Sequence, residues 1–309
     1  MSTDKVFIVG CARSGSTLLR LILNRSPRIC IPPETNFLRR FSQIGKRRQI
    51  PKMGNLREDR NLRNLTELMY QPGSGWSSGY GSWLRKRIDK ETLYDRLAAS
   101  DRSERSIFLI LLQLYAEKKK GDVGGLLLGE KTPTHLYYVP TLMSWFPDAK
   151  VIHTFRDPRG LFVSRLVKAR SGQWGLKAKY PNLPGWLVDP FLGPLEIQMT
   201  ARSWKDAVDL HQKYLRMYPG RYLLQRFEDL ITDPKENVRN ICEFLETEYH
   251  PDMTRDVVVV GSSYHEEKRK PGGFERQAID RWKGLIDPSA KAWLTFLTRR
   301  QLVQFGYAP

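Results

Sequence analysis

The residues Gly10-Cys-Ala-Arg-Ser-Gly15-Ser16-Thr17 nearly match a phosphate-binding loop, G-x-x-x-x-G-K-[ST], with Ser16 in place of the lysine. Backbone N–H groups in such a loop, and at the start of the helix after it, point at an anion. Ser14, Ser16 and Thr17 add hydroxyl donors. Arg13 is the nearest cation, on the opposite arm of the loop. The missing lysine removes the point charge over β- and γ-phosphates, so a nucleoside triphosphate with magnesium fits poorly. A smaller anion held by amides, hydroxyls and an arginine fits better. The bland alternative is a glycine turn that binds nothing; a strand before the motif and a helix after it favour the functional reading.

A second cluster is Thr154-Phe-Arg156-Asp157-Pro-Arg159-Gly-Leu-Phe-Val-Ser164. Arg156 falls just past a strand end, and Ser164 lies about two helical turns later. Ligands of open α/β sheets bind at the carboxyl ends of the strands. Arg156 and Ser164 are therefore placed to hold a second anionic group near the first loop. Taken alone, an Arg–Asp pair that only caps the helix is the favoured explanation.

The elements that must position these residues alternate. Val6–Gly10, residues 125–129, residues 150–155 and residues 221–227 read as short buried strands. Helices are expected at residues 17–24, 107–118, 140–146 and 195–218, from Pro158 and Pro234 onward, and at residues 288–305. Residues 171–195, rich in Gly, Pro, Trp and Tyr, read as a long irregular insertion, and residues 71–83 as a loop. Residues 264–276, charged and carrying Pro271-Gly272-Gly273, read as a mobile segment that closes over a ligand. The expected fold is α/β: a P-loop-like three-layer arrangement with a central parallel sheet and helices on both faces. One domain spans residues 1–309, with insertions at about 39–105 and 171–195.

Composition limits the partners. The 309 residues carry 51 basic and 33 acidic side chains, a net charge of +18, and 40% are hydrophobic, which suffices for a large core. Three cysteines without a C-x-x-C, and five scattered histidines, argue against a disulfide framework or a zinc site. No apolar run has membrane-spanning length, and the first residues lack a signal-peptide layout, so a cytoplasmic protein is expected. The basic clusters Arg39-Arg40, Lys46-Arg47-Arg48, Lys118-Lys119-Lys120 and Arg299-Arg300 suit an anionic partner or a membrane surface. No recognised nucleic-acid motif accompanies them.

With both loops in this order, the sequence resembles the PAPS-dependent sulfotransferases, and within them the tyrosylprotein-sulfotransferase-like and bacterial subgroup. Pro32-Pro-Glu34-Thr-Asn-Phe-Leu38 resembles the segment that carries the subgroup's catalytic glutamate. Gly129-Glu-Lys131-Thr-Pro133 resembles its lysine loop, and Arg226-Phe-Glu-Asp-Leu230 its late strand and helix. Ala278-Ile-Asp-Arg281-Trp-Lys283-Gly284 resembles its C-terminal donor-binding loop. Asp280 and Phe227 depart from the subgroup's serine and tyrosine.

The resemblance implies transfer of a sulfuryl group from PAPS to a hydroxyl or amine acceptor, with PAP as product and no metal. Glu34 is then the general base, with His135 and His153 as rivals. Lys131 and Arg13 face the transferring group and the leaving phosphate. The loop of Arg13, Ser14, Gly15, Ser16 and Thr17 holds the 5′-phosphate. Arg156 and Ser164, with Lys168, Arg281 and Lys283 as secondary contacts, hold the 3′-phosphate. The aromatic segments at 72–83 and 171–195 are candidate walls of an acceptor pocket. The rival readings are a P-loop kinase or NTPase, which needs lysine at position 16, and a basic nucleic-acid-binding protein.

Overall fold

The computed structural model of the chain describes residues 5–71, 82–173, 175–257 and 274–309. In chain order it contains β1 (Lys5–Gly10), α1 (Ser16–Leu23), β2 (Ile29–Cys30), α2 (Phe37–Arg40), α3 (Gln49–Met53), α4 (Asp59–Tyr70) and α5 (Ser82–Arg87). These are followed by α6 (Lys90–Ala98), α7 (Glu104–Lys120), β3 (Leu127–Lys131), a 3-10 turn (Pro133–Tyr138), α8 (Val139–Trp145), β4 (Lys150–Phe155) and α9 (Pro158–Arg170). The remainder comprises α10 (Gly175–Lys179), α11 (Gly185–Met217), β5 (Tyr222–Arg226), α12 (Phe227–Thr232), α13 (Pro234–Phe244), α14 (Gln277–Asp280) and α15 (Pro288–Gln304). Two further 3-10 turns cover Pro251–Met253 and Arg281–Gly284.

The five strands are all parallel, in the order β2-β3-β1-β4-β5. Side chains of a strand alternate between the two faces of a sheet. In β1, Phe7 and Val9 enter one apolar cluster, whereas Val6 and Ile8 enter the other. The first cluster is closed by α4, α6, α7, α8 and α11, the second by α1, α12 and α13. This is the expected three-layer α/β arrangement. β1 leads to β2 on one side of the sheet, while β4 leads to β5 on the other. Their adjacent carboxyl ends therefore form the crevice where strand order reverses. The glycine loop leaves β1 and the Arg156 loop leaves β4, so topology alone brings the two clusters together.

The strand at 125–129 is displaced: β3 runs Leu127–Lys131. The shift sets Glu130 and Lys131 at its carboxyl end. β2, only two residues long, was not expected, because so short a run carries no period. Asp157 caps α9 by accepting from Arg159 N, with Pro158 in the first turn; Asp233 and Pro234 do the same for α13.

Residues 171–195 overturn the expectation of an irregular insertion. Residues 175–179 and 185–195 are helical, and α11 starts ten residues earlier than its apolar period suggests, with Pro190 and Pro194 inside it. A proline withholds one N–H from the carbonyl four residues back. Both prolines are exposed, so the carbonyls of Trp186 and Pro190 lose their donors at the surface, where water can replace them. The expected closing segment, and the loop before Ser82, fall largely outside the described residues.

Candidate functional site

The turn from β1 into α1 needs glycine twice. Gly10 has φ +146, and a Cβ there would lie 2.3 Å from the Thr154 carbonyl oxygen. Gly15 has φ +90, and its Cβ would meet the Phe227 ring at 2.6 Å. Arg13, between them, also holds a positive φ of 79. Gly15 is the N-cap of α1 and brings no side-chain cap, so among the described residues no side chain caps the first-turn amides of α1. This is a cradle suited to an anion. Ser14 belongs to the turn itself: its hydroxyl lies 2.7 Å from both the Cys11 carbonyl and Thr154 Oγ1, and its N–H donates to Cys11 O at 3.3 Å. The hydroxyls expected to face a ligand are thereby reduced to those of Ser16 and Thr17.

The second cluster meets the first directly. Arg13 Nε donates to Ser164 Oγ at 3.0 Å, and Arg156 Nη1 to the Arg13 carbonyl at 3.4 Å. The Arg156 guanidinium lies over the Phe227 ring at 4.0 Å, and its other nitrogen donates to Ala278 O at 2.9 Å. The backbone of Arg156 accepts from Trp204 Nε1 at 2.9 Å. Asp157 forms a buried bidentate pair with Arg159, which stacks over Trp282 at 4.5 Å. The capping alternative is thus true of Asp157 and Arg159, while Arg156 bridges the anion loop and the segment that begins at Ala278. Glu228 braces the same loop, accepting from Asp157 N at 3.0 Å and from Tyr307 OH at 2.9 Å. Burial pushes its carboxyl above the usual range.

The secondary contacts are less uniform. Lys168 lies one turn beyond Ser164 on α9 and reaches Gln173. Arg281 is paired with Glu275 at 2.8 Å, and exposed Lys283 with Asp280 at 2.8 Å. The 278–284 segment approaches Arg156 through its Ala278 carbonyl and approaches Arg159 through Trp282.

At the end of β3, Lys131 Nζ donates to Glu34 Oε1 at 2.6 Å and to Thr17 Oγ1 at 3.2 Å. Lys131 is only 4% exposed and Glu34 26%. Burial pulls the Lys131 ammonium below its ordinary pKa, and Glu34 opposes that shift. The segment after Glu34 is fastened to β3. Glu130 accepts from Thr35 N, Thr35 Oγ1 and Thr132 Oγ1, and Thr132 Oγ1 accepts from Asn36 N. Asn36 takes a left-handed conformation at the start of α2. Burial alone would raise the Glu130 carboxyl; the neighbouring His135 ring and the donated hydrogen bonds outweigh it and leave the carboxyl below the ordinary range.

Neither histidine is placed as a base. His135 is fully buried, its Nδ1 3.0 Å from Glu130 Oε2. His153 is buried within β4, with Nδ1 2.7 Å from Tyr222 OH, and burial pulls its pKa down to about 3. Arg20, one turn after Thr17, went unnoticed in the sequence. Its guanidinium reaches the Ile31 carbonyl at 3.4 Å, it interacts electrostatically with Tyr115 and Glu34, and burial holds its pKa below normal. Its place three residues beyond Thr17 on α1 was the available signal.

A family model described as "Sulfotransferase family" matches residues 5–251, from β1 to the start of the 3-10 turn after α13. The chain belongs to the sulfotransferase family. Over 145 residues it is 28% identical to omega-hydroxy-beta-dihydromenaquinone-9 sulfotransferase Stf3 of Mycobacterium tuberculosis. That match covers 46% of this chain and 33% of the relative, so it spans about a third of that protein. Among solved structures, the sulfotransferase domain of the Synechococcus PCC 7002 olefin synthase superposes with a TM-score of 0.59 at 19% identity. It covers 100% of this chain and 97% of that one. The sulfotransferase domain of the curacin biosynthetic pathway gives 0.57 at 17% identity, over 99% and 98% of the two chains. These superpositions show a shared sulfotransferase fold. Among the described residues, no helix is long and apolar enough to cross a membrane, and no three His, Cys, Asp or Glu side chains are grouped to hold a metal ion.

Proposed function

We propose that this member of the sulfotransferase family transfers a sulfuryl group from PAPS to a hydroxyl acceptor. The observation that carries the reading is the meeting of the two anion grips at one sheet end, where Arg13 Nε is 3.0 Å from Ser164 Oγ. Family membership supports sulfuryl transfer over a kinase or NTPase, as does the serine at position 16.

The residues fit a donor phosphorylated at two places. Amides of Gly15, Ser16 and Thr17, with the Ser16 and Thr17 hydroxyls, hold the 5′-phosphate at the mouth of α1. Arg156 and Ser164 hold the 3′-phosphate, with Lys168, Arg281 and Lys283 at its edge. Phe227 supports the Arg156 guanidinium from below, as its 4.0 Å stacking suggests. Binding energy gained at the remote 3′ end orients the reacting end.

Glu34 takes the acceptor proton as the new O–S bond forms. The bond from sulfur to the bridging oxygen breaks, and the leaving phosphate keeps that electron pair. Lys131 and Arg13 neutralise the charge that grows there. A carboxylate is a weak base toward an alcohol or a phenol, so it acts late, once bonding to sulfur has acidified the hydroxyl. As Glu34 gains the proton, its hold on Lys131 weakens and the ammonium is released toward the leaving oxygen.

A thermal shift with PAP and with ATP plus magnesium tests the donor. PAP at ~100 times Kd adds about 2.7 kcal/mol, which raises Tm by about 5 °C in a domain of this size. Arg156→Ala should abolish that rise. A response to ATP with magnesium and none to PAP overturns the reading.

A further inference from the structure

The first turns of α11 expose an apolar surface that the transfer site does not use. Leu187, Phe191, Leu195 and Met199 follow one another at four-residue spacing, which places them in one row along the helix. All four are exposed, as are Tyr180, Leu183 and Trp186 just before them. Trp186 is 77% exposed and Phe191 61%, values at which a large aromatic contributes almost nothing to the core. The adjacent row, Val188 and Leu192, does the packing, against Ala169 with Leu166 and Leu176. The helix is therefore anchored on one side and apolar on the side turned to solvent.

Its borders are basic. Residues 168–205 contain six lysines and arginines but only two carboxylates. Both carboxylates are engaged: Asp189 pairs with Lys177 at 2.6 Å, and buried Glu196 with Arg165 at 2.8 Å. The Lys177–Asp189 pair fixes α10 beside the first turns of α11, and Lys177 also reaches the Arg170 carbonyl. Exposed Arg170 ends α9 and exposed Lys179 ends α10, the helices that precede this stretch, and exposed Arg202 lies one turn past Met199. Lys179 lies over the Tyr180 ring at 4.8 Å.

An exposed row of Trp, Phe, Leu and Tyr bordered by cations matches the water–hydrocarbon boundary of a bilayer, where aromatic rings settle at headgroup depth and cations meet anionic headgroups. We infer that the α10–α11 insert is an interfacial docking element for anionic lipid membranes. The chain's net charge of +18 reinforces this choice over a neutral surface. The insert follows directly on α9, which carries Ser164, so docking would hold the transfer site at the membrane face. This goes beyond the donor assignment and does not depend on it.

The test is sedimentation of the purified chain with vesicles of phosphatidylcholine alone and of phosphatidylcholine with phosphatidylglycerol in equal parts. The expected result is binding to the anionic vesicles that weakens with added salt. Trp186→Ser with Phe191→Ser should reduce partitioning at least tenfold while leaving the melting temperature near that of the parent, because neither ring is buried. Arg170→Glu with Lys179→Glu should remove the preference for anionic vesicles, as each basic residue near such a surface contributes about fivefold. Absence of vesicle binding by the parent chain overturns the inference, as does unchanged binding in the Trp186/Phe191 variant. A parent that ignores vesicles but forms dimers lost in that variant would assign the row to self-association instead.

Discussion

Lys131 Nζ stands between Glu34 Oε1, at 2.6 Å, and Thr17 Oγ1, at 3.2 Å, so one ammonium joins the carboxylate to the anion loop. Three segments distant in sequence converge there: the end of β3, the loop after β2 and the first turn of α1. The ammonium is the shared partner, which makes the two charged residues a unit in the proposed reaction.

The first prediction follows from that unit. Glu34→Gln should lower kcat by roughly 10²–10⁴-fold, the usual contribution of a positioned acid or base. Its thermal response to PAP should persist, because Glu34 holds no phosphate in this scheme. Lys131→Met should also lower kcat, and the double variant should be little slower than the worse single one. Losses that multiply in the double variant would show that the two residues act separately. Full turnover in the Gln variant would remove Glu34 from the base role.

The two glycines of the anion loop should respond differently to the same change. In Gly10→Ala the new Cβ would meet the Thr154 carbonyl oxygen at 2.3 Å, a backbone atom in the central strand pair. In Gly15→Ala it would meet the edge of the Phe227 ring at 2.6 Å, a side chain that can turn aside. Both alanines also carry the strain of a positive φ, of order 1–2 kcal/mol. Gly10→Ala should therefore be the more destabilising, by thermal or denaturant unfolding, with Gly15→Ala costing about 1–3 kcal/mol. Phe227→Leu should recover part of the Gly15→Ala loss and none of the Gly10→Ala loss. Equal costs at both positions would contradict this account of the turn.

Arg20 should act through its charge. It pulls the Lys131 ammonium down, adding to the effect of burial. Arg20→Met keeps much of the side-chain volume and removes the buried cation, which leaves the Ile31 carbonyl without that donor and should lower stability. Without that charge the Lys131 pKa rises, so the basic limb of the kcat/KM profile should move to higher pH. A merely structural arginine would alter Tm and leave the limb in place.

How much of this was legible beforehand depends on how local the signal was. The glycine loop and Arg156…Ser164 carry their chemistry in adjacent residues, and strand order then brings them together. Glu34 and Lys131 lie almost a hundred positions apart in a sequence that gives no spacing to join them; only the resemblance singled them out. Arg20 reads as an ordinary helix arginine until β2 and α7 bring Ile31 and Tyr115 against it. The start of α11 was hidden by composition, since Pro190 and Pro194 suggest a loop. Those prolines are tolerated because they face outward, a tertiary fact. Ser14 shows the converse: its type fits a ligand donor, yet its hydroxyl closes the turn.

His153 yields a prediction about acid stability. The ring is buried in β4 beside Tyr222 and 5.9 Å from His211, and burial is the main reason its pKa falls from 6.5 to about 3. The folded protein thus keeps the ring neutral, whereas the unfolded chain protonates it below pH ~6.5. The unfolded state binds the extra proton, so stability is full above pH 6.5 and is lost as pH falls toward 3. Between pH 6.5 and 5, His153 alone should cost about 1.5–2 kcal/mol, since one pKa unit corresponds to about 1.4 kcal/mol. Glu228, whose pKa is raised by burial, works in the opposite sense and does so equally in parent and variant. His153→Gln can still exchange a hydrogen bond with Tyr222 OH and cannot take up a proton. Urea unfolding at pH 7 and pH 5 should therefore show a smaller loss on acidification in the variant than in the parent. Identical losses would mean that the ring is protonated, or hydrated, in the folded protein.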